Sequence, residues 1–280
     1  MLRKLLIGTD LSPASEALIC CVAEMKAIGL EEVVLTHVLN VAHTPELEET
    51  LAREARPHLE RQKQLLEGQG LKVTTEMPHG LPARTLLETA DRHDVAVIVV
   101  GSHGKGLLTS ATLGSVSTEV LHMARKPLLL VRNALLEGDQ NYRFCSRLFS
   151  RILFPTDFSE TAEGALSFVG MMGFGLTCPV TLLHVAGKDE TLPEVDRRFL
   201  LETKKHRLES LGLTQVHIED AVGDPADEII ERARSGRFSI IVMGRQGKGL
   251  VEELFKGSVV RKVAHHVIIP ILFIPAIRQS

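Results

Sequence analysis

The chain repeats itself. Lys4-Leu5-Leu6-Ile7-Gly8-Thr9-Asp10-Leu11-Ser12 returns as Arg151-Ile152-Leu153-Phe154-Pro155-Thr156-Asp157-Phe158-Ser159, and His37-Val38 returns as His184-Val185, both 147 residues later. Further along the spacing is 143. Gly80-Leu81-Pro82-Ala83 meets Gly223-Asp224-Pro225-Ala226, residues 101–116 meet 244–259, and Pro127 meets Pro270. The second copy is therefore four residues shorter between its second and third strands. A period of this size is far above the roughly 20–50 residues of a solenoid unit and matches a whole domain. The 280 residues thus read as one duplicated and fused domain. The expected division is domain 1 at 1–135, a linker at 136–149 that is polar at Glu137-Gly138-Asp139-Gln140-Asn141, and domain 2 at 150–280.

Within each copy, short β-branched runs alternate with helical stretches. Strands are expected near 3–9, 33–39, 71–77, 95–100 and 128–132, with helices at 13–27, 45–67, 82–92 and 115–124. Val95-Ala96-Val97-Ile98-Val99-Val100 is apolar without alternation, as befits a strand covered on both faces. The second copy repeats the pattern with strands near 151–155, 179–185, 215–221, 238–243 and 269–274. Strands alternating with helices imply a parallel sheet covered on both sides, so the fold class is α/β, with two tandem doubly wound parallel-sheet domains of five strands. Fusion after duplication commonly preserves an ancestral isologous contact, so an internal pseudo-dimer with an approximate two-fold is expected.

Composition narrows the function. Basic residues number 32 against 35 acidic, a net charge of −3, which argues against nucleic-acid or anionic-membrane partners recruited by bulk charge. Only 4% of residues are aromatic, with no Trp and one Tyr, so stacking platforms for single strands are scarce. The longest apolar runs, 95–100 and 267–274, fall short of the ~18 residues a membrane span needs. Arg3-Lys4 followed by only Leu5-Leu6-Ile7 is too short for a signal peptide, and a cytoplasmic location is expected. Cys20, Cys21, Cys145 and Cys178 have no CxxC or framework spacing and read as ordinary thiols.

In open parallel sheets ligands gather at the carboxyl ends of strands, at the switch point of the strand order. Asp10 and Asp157 close the first strands, Val38 and Val185 the second. After each fourth strand runs G-x2-G-x9-G-S: Gly101-Ser102-His103-Gly104 with Gly114-Ser115, and Gly244-Arg245-Gln246-Gly247 with Gly257-Ser258. Glycine permits close backbone approach to a ligand, and Gly-Ser at a helix start offers free amides and a hydroxyl for an anion. The alternative is that the glycines only turn the chain and the serine only caps a helix. Asp10 has the same second role, as a cap for the helix after Pro13. His37 and His184 read as core histidines, His103 as an exposed loop residue, and Lys105 and Lys248 as phosphate partners or solvated lysines. His265-His266 suits a helix C-terminus, where imidazolium favours the dipole. No G-x4-GK[ST] and no early G-x-G-x-x-G occurs, which disfavours a P-loop NTPase and a dinucleotide oxidoreductase. No nucleophile–base–orienter set is evident, so binding rather than fast catalysis is expected.

GSHGKGLLTSATLGSV at 101–116, with Thr9-Asp10-Leu11-Ser12 and His37-Val38, resembles the nucleotide-binding type of universal stress protein. GRQGKGLVEELFKGSV at 244–259, with Pro155-Thr156-Asp157-Phe158-Ser159, resembles the same domain again. The resemblance implies that Thr9-Asp10 and Thr156-Asp157 meet the adenine–ribose side and that the backbone of Val38 and Val185 meets the adenine edge. It implies that Gly101, His103, Gly104, Gly244, Arg245 and Gly247 lie against ribose and phosphates. Gly114, Ser115, Val116 and Ser117 hold phosphates in the first copy, as Gly257, Ser258 and Val259 do in the second. Val260 departs from the pattern where Ser117 supplies a hydroxyl, and Arg245, in place of Ser102, is a candidate to offset the loss. The fifth strands are the implied contact between copies. The implied ligand is ATP, ADP or AMP, with Mg2+ beside the triphosphate and no all-protein metal site. The implied role is a stress-response module whose occupancy regulates an unidentified protein partner. A nucleotide-independent dimerisation scaffold and a slow ATPase or phosphotransferase stay open, as does a homodimer.

Overall fold

The computed structural model of the chain describes residues 2–40, 45–102, 113–132, 148–173, 178–246 and 259–276. The chain divides into two compact units, 1–146 and 147–280. In the first, the elements run β1 (Lys4–Gly8), α1 (Pro13–Val22), a 3₁₀ segment (Ala23–Ile28), β2 (Glu32–Thr36), α2 (Pro45–Gly68), β3 (Lys72–Glu76), α3 (Pro82–Arg92), β4 (Val97–Gly101), α4 (Ser115–Met123) and β5 (Leu128–Val131). The second runs β6 (Ile152–Pro155), α5 (Glu160–Gly173), β7 (Val180–Ala186), α6 (Glu194–Ser210), β8 (Val216–Val222), α7 (Pro225–Arg234), β9 (Ile240–Gly244), α8 (Val259–His266) and β10 (Ile271–Ile274).

The strands of the first unit lie in the order β3-β2-β1-β4-β5 and those of the second in the order β8-β7-β6-β9-β10. The registered pairs within each unit are parallel, with Leu5 beside Val33 and Val97 in one, and Ile152 beside Val180 and Ile240 in the other. Central strands are buried throughout their middles: Leu5, Leu6 and Ile7 in β1, Val97–Val100 in β4, Ile240–Met243 in β9. That is the pattern expected where helices cover both faces. In each unit the order reverses between the first and fourth strands, so a crevice opens beyond their carboxyl ends.

Helix endings show how the copies correspond. Gln69, Gly70 and Leu71 donate their amides to Leu66, Glu67 and Leu66, as Leu211, Gly212 and Leu213 donate to Leu208, Glu209 and Leu208. Leu66 therefore matches Leu208, and one helical turn earlier Gln62 matches Lys204. The second copy's shortening falls before this point, since α2 has 24 residues and α6 has 17. Of the cysteines, Cys178 is a free buried thiol whose pKa burial raises, whereas Cys21 is disulfide-bonded, contrary to the ordinary thiol expected.

Candidate functional site

The turn after the first strand is built alike in both copies. Leu11 and Phe158 hold positive φ, 61° and 62°, a conformation that bulky residues adopt only when the surroundings compensate. The compensation is local. Thr9 Oγ1 accepts the Leu11 amide at 3.0 Å and Asp10 Oδ1 the Ser12 amide at 3.0 Å. Thr156 Oγ1 and Asp157 Oδ1 do the same for Phe158 and Ser159, at 3.2 and 3.0 Å. His37 Nδ1 donates to the Thr9 carbonyl at 2.9 Å, and His184 Nδ1 to that of Thr156 at 2.9 Å. The T-D-x-S residues thus hold most of the turn, with one further bond from His37 or His184, and in the first copy Ser12 Oγ, not Asp10, caps the helix by accepting the Ser15 amide at 3.2 Å.

Around that turn the first copy opens a cleft of about 300 Å³ at the strand switch point. It brings together Thr9, Asp10, Val38, Gly101, Gly114, Ser115, Val116 and Ser117, all named from the sequence. Asp10 Oδ1 is saturated: besides the Ser12 amide it accepts the hydroxyl of Ser12 at 2.6 Å and that of Ser15. Its Oδ2 is buried and has no hydrogen-bond partner. An ionised carboxylate oxygen accepts only, so this atom calls for a donor. Across the cleft, α4 begins at Gly114, which supplies no side-chain cap, and the Gly114 amide is used on the Ser102 carbonyl at 2.8 Å. The first-turn amides that follow have no acceptor within their own helix and carry the positive end of its dipole.

The Ser117 hydroxyl donates to the Gly101 carbonyl at 2.7 Å, tying α4 to the end of β4. A serine hydroxyl has one proton, so donation to phosphate would cost that tie. The cleft also contains residues that motif spacing did not single out: Gly8, Ser15, Thr36 and Leu86. Gly8 sits close to Leu86, and a Cβ there would lie 3.1 Å from Leu86 Cδ1, so that side chain would have to give way. Thr36 carried a faint signal as a polar end to the apolar run Val33-Val34-Leu35.

In the second copy the matching residues are packed together. His184 and Val185 are buried, whereas His37 and Val38 are half-buried. Phe158 stacks on His184 with ring centroids 4.5 Å apart, and Lys204 lies 5.4 Å from the Phe158 ring centroid while pairing with Glu163. His184 Nε2 meets Glu190 Oε2 at 3.2 Å, and the Leu192 amide with His184 holds that carboxyl below its ordinary range. A Cβ on Gly244 would stand 3.0–3.2 Å from Thr161 and the Ala162 nitrogen. Arg245 N–H donates to Ile274 O at 2.8 Å, as Ser102 N–H does to Val131 O at 2.8 Å. Burial pushes the Arg245 guanidinium below its usual pKa. Val260, in the place of Ser117, is buried, and Val259 opens the described part of α8. His103, Gly104, Lys105, Gly247, Lys248, Gly257, Ser258 and the linker core at 136–147 lie outside the described residues. No helix among the described residues is long and apolar enough to cross a membrane.

Comparison with known proteins agrees with the repeat. Residues 1–132 and 148–275 each match the model of the universal stress protein family. A universal stress protein of Mycolicibacterium smegmatis is 27% identical over 296 residues, covering 96% of this chain and 96% of its own. One from Methanocaldococcus jannaschii is 30% identical over 155 residues, 47% of this chain and 96% of its own. The crystal structure of a universal stress protein from Archaeoglobus fulgidus shares the fold at a TM-score of 0.82 and 23% identity, over 99% of both chains. With the family's domain matched in each half, the chain belongs to the universal stress protein family.

Proposed function

We propose that the first copy's cleft binds an adenine nucleotide, ATP foremost, and that its occupancy regulates the interaction of this stress-family protein with a partner protein. One observation carries the reading: the unpartnered Asp10 Oδ2 and the uncapped start of α4 open onto the same cleft. A ribose hydroxyl supplies the donor that Asp10 lacks. Phosphate suits the amides of Ser115, Val116 and Ser117 together with the helix dipole. The backbone at Val38 is the reader of the base edge, and Gly101 with the loop at His103 and Gly104 lies against the ribose and phosphates. A volume of about 300 Å³ is at the lower end of small-molecule sites, which run from about 300 to 1,000 Å³. Mg2+ enters with the triphosphate, held by phosphate oxygens and water.

The matching set of the second copy (Thr156, Asp157, Val185, Gly244, Arg245, Gly247, Gly257, Ser258 and Val259) is the weaker site in this reading, because Phe158 stacks on His184 beside its turn and Gly244 lies close against Thr161. On the argument from duplication, 1–135 and 150–280 act as paired domains in one cytoplasmic chain, their fifth strands forming the contact. Isothermal titration of nucleotide-stripped, folded protein tests the central claim, with a micromolar Kd expected, about −8 kcal/mol. No heat and no thermal shift with ATP, ADP or AMP would sink it.

A further inference from the structure

Thr36 ends β2 on the wall of the cleft, fully buried, and its hydroxyl has no hydrogen-bond partner. An unsatisfied buried hydroxyl works against folding. The fold does not need one at this point, because the matching residue of the second copy is Leu183, also buried. Its position is defined on both sides. The Thr36 carbonyl accepts the Thr9 amide at 2.9 Å, which places Thr36 beside the turn that carries Asp10. Two residues further on is Val38, which lines the same cleft, and the surrounding wall is apolar at Leu18, Leu86 and Val100. One wall of the cleft thus joins a buried, unpartnered hydroxyl to apolar side chains, on a lining that also carries Asp10 and Val38.

We propose that Thr36 reads the base: its hydroxyl donates to a ring nitrogen of the bound purine. The nitrogens concerned are N3 and N7, the two acceptors of a purine that lie off its Watson–Crick edge. This rests on the nucleotide reading above and adds to it a contact that selects the ring. Leu183 has no such proton, so the selectivity belongs to the first copy alone.

The test is isothermal titration of nucleotide-stripped protein with ATP, 3-deaza-ATP and 7-deaza-ATP, on wild type, Thr36→Val and Thr36→Ser, with melting of each free protein. Thr36→Val keeps the β-branched shape, and Leu183 at the matching place indicates that an apolar side chain folds there. The expected result is a loss of about three- to tenfold in ATP affinity for Thr36→Val, the reach of one neutral hydrogen bond. Thr36→Ser should bind as wild type, and free Thr36→Val should melt no lower than wild type. One deaza analogue should lose the same factor on wild type and nothing on Thr36→Val. Unchanged ATP affinity in Thr36→Val, or deaza penalties equal in both proteins, overturns the assignment while the nucleotide reading stands. A lower melting temperature accompanying the affinity loss assigns Thr36 to structure and also overturns it. Wild type that binds no ATP overturns both.

Discussion

The two copies share a turn and differ in what surrounds it. Asp10 and Asp157 accept the same amide two residues on, behind the same strained residue at positive φ. In the first copy the neighbours are Gly8, Ser15, Thr36 and Gln62, which are small or polar; in the second they are Pro155, Ala162, Leu183 and Lys204. Thr9 Oγ1 donates to Gln62 Oε1 at 2.7 Å in a buried pair, whereas Lys204 pairs with Glu163 and covers Phe158. One environment holds an acceptor and a hydroxyl that are buried without partners in residues lining a cleft, and the other pairs Lys204 with Glu163 and stacks Phe158 on His184. A motif kept through duplication therefore fixes a backbone, while the packing around it is free to differ.

The most direct way to break this contrast is the pair Asp10→Asn and Asp157→Asn. Each retains an oxygen acceptor for the turn, but Asp10→Asn replaces the free acceptor with a donor. A hydrogen bond to a charged group contributes about 1.5–3 kcal/mol, so ATP affinity should fall from about tenfold to more than a hundredfold. Asp157→Asn should leave the titration unchanged, and an equal loss in both would make the copies equivalent.

Gly244→Ala probes the closure of the second copy. The new Cβ would press on the backbone of Thr161 and Ala162, which cannot swing aside as a side-chain tip can. Overpacking of this kind costs about 1–3 kcal/mol. Chemical denaturation should show the loss, with ATP affinity at the first site retained. A neutral substitution would mean that the second site has room after all.

Ser117→Val and Val260→Ser separate tether from ligand contact. Removing the Ser117 hydroxyl strips the donor from a part-buried carbonyl, at about 1 kcal/mol. The loss should appear in the melting of the free protein before any nucleotide is added. If Ser117→Val melts like wild type and loses only ATP affinity, the hydroxyl serves phosphate instead.

The smallest effect concerns the third helix of each copy. Asp224 Oδ1 caps α7 through the Asp227 amide at 3.0 Å, whereas α3 begins at Leu81, which has no side-chain cap. Their backbones agree, with φ and ψ of −76° and 120° against −75° and 117°. Leu81→Asp should therefore stabilise the first copy, and Asp224→Leu destabilise the second, by about 1 kcal/mol each. The Asp227 amide and Lys262 hold the Asp224 carboxyl below its ordinary pKa. A depressed carboxyl contributes stability above its unfolded pKa and loses it as pH falls through the folded one. The difference between wild type and Asp224→Leu should thus be full near neutrality and vanish in acid below the usual carboxylate range. A difference that persists there would refute the electrostatic cap.

Much of this was legible in the sequence. The offsets of 147 and 143 residues carried the duplication, and the uninterrupted apolar run before Gly101 carried the buried parallel strand. The T-D-x-S turns were legible because the bonds that hold their backbone amides span two or three residues. Strand ends plus glycine spacing were enough to collect Asp10, Val38, Gly101 and Gly114–Ser117 on one crevice. What spacing did not reveal was the use of Ser117 as a tether and the orphaned hydroxyl of Thr36.

Sequence by itself determined the duplicated α/β domains, the capped turn after each first strand and the helix start that faces it, because periodicity and short-range hydrogen bonds are written in consecutive residues. Only the tertiary structure decided that the first copy opens a cleft beside this turn and that in the second Phe158 stacks on His184, Lys204 pairs with Glu163 and Gly244 lies close against Thr161. That outcome depends on Gly8 against Leu86, Gln62 against Thr9, Phe158 against His184 and Thr161 against Gly244. These pairs are brought together by strand order and helix docking, and whether each leaves or fills a volume is fixed by close packing in three dimensions.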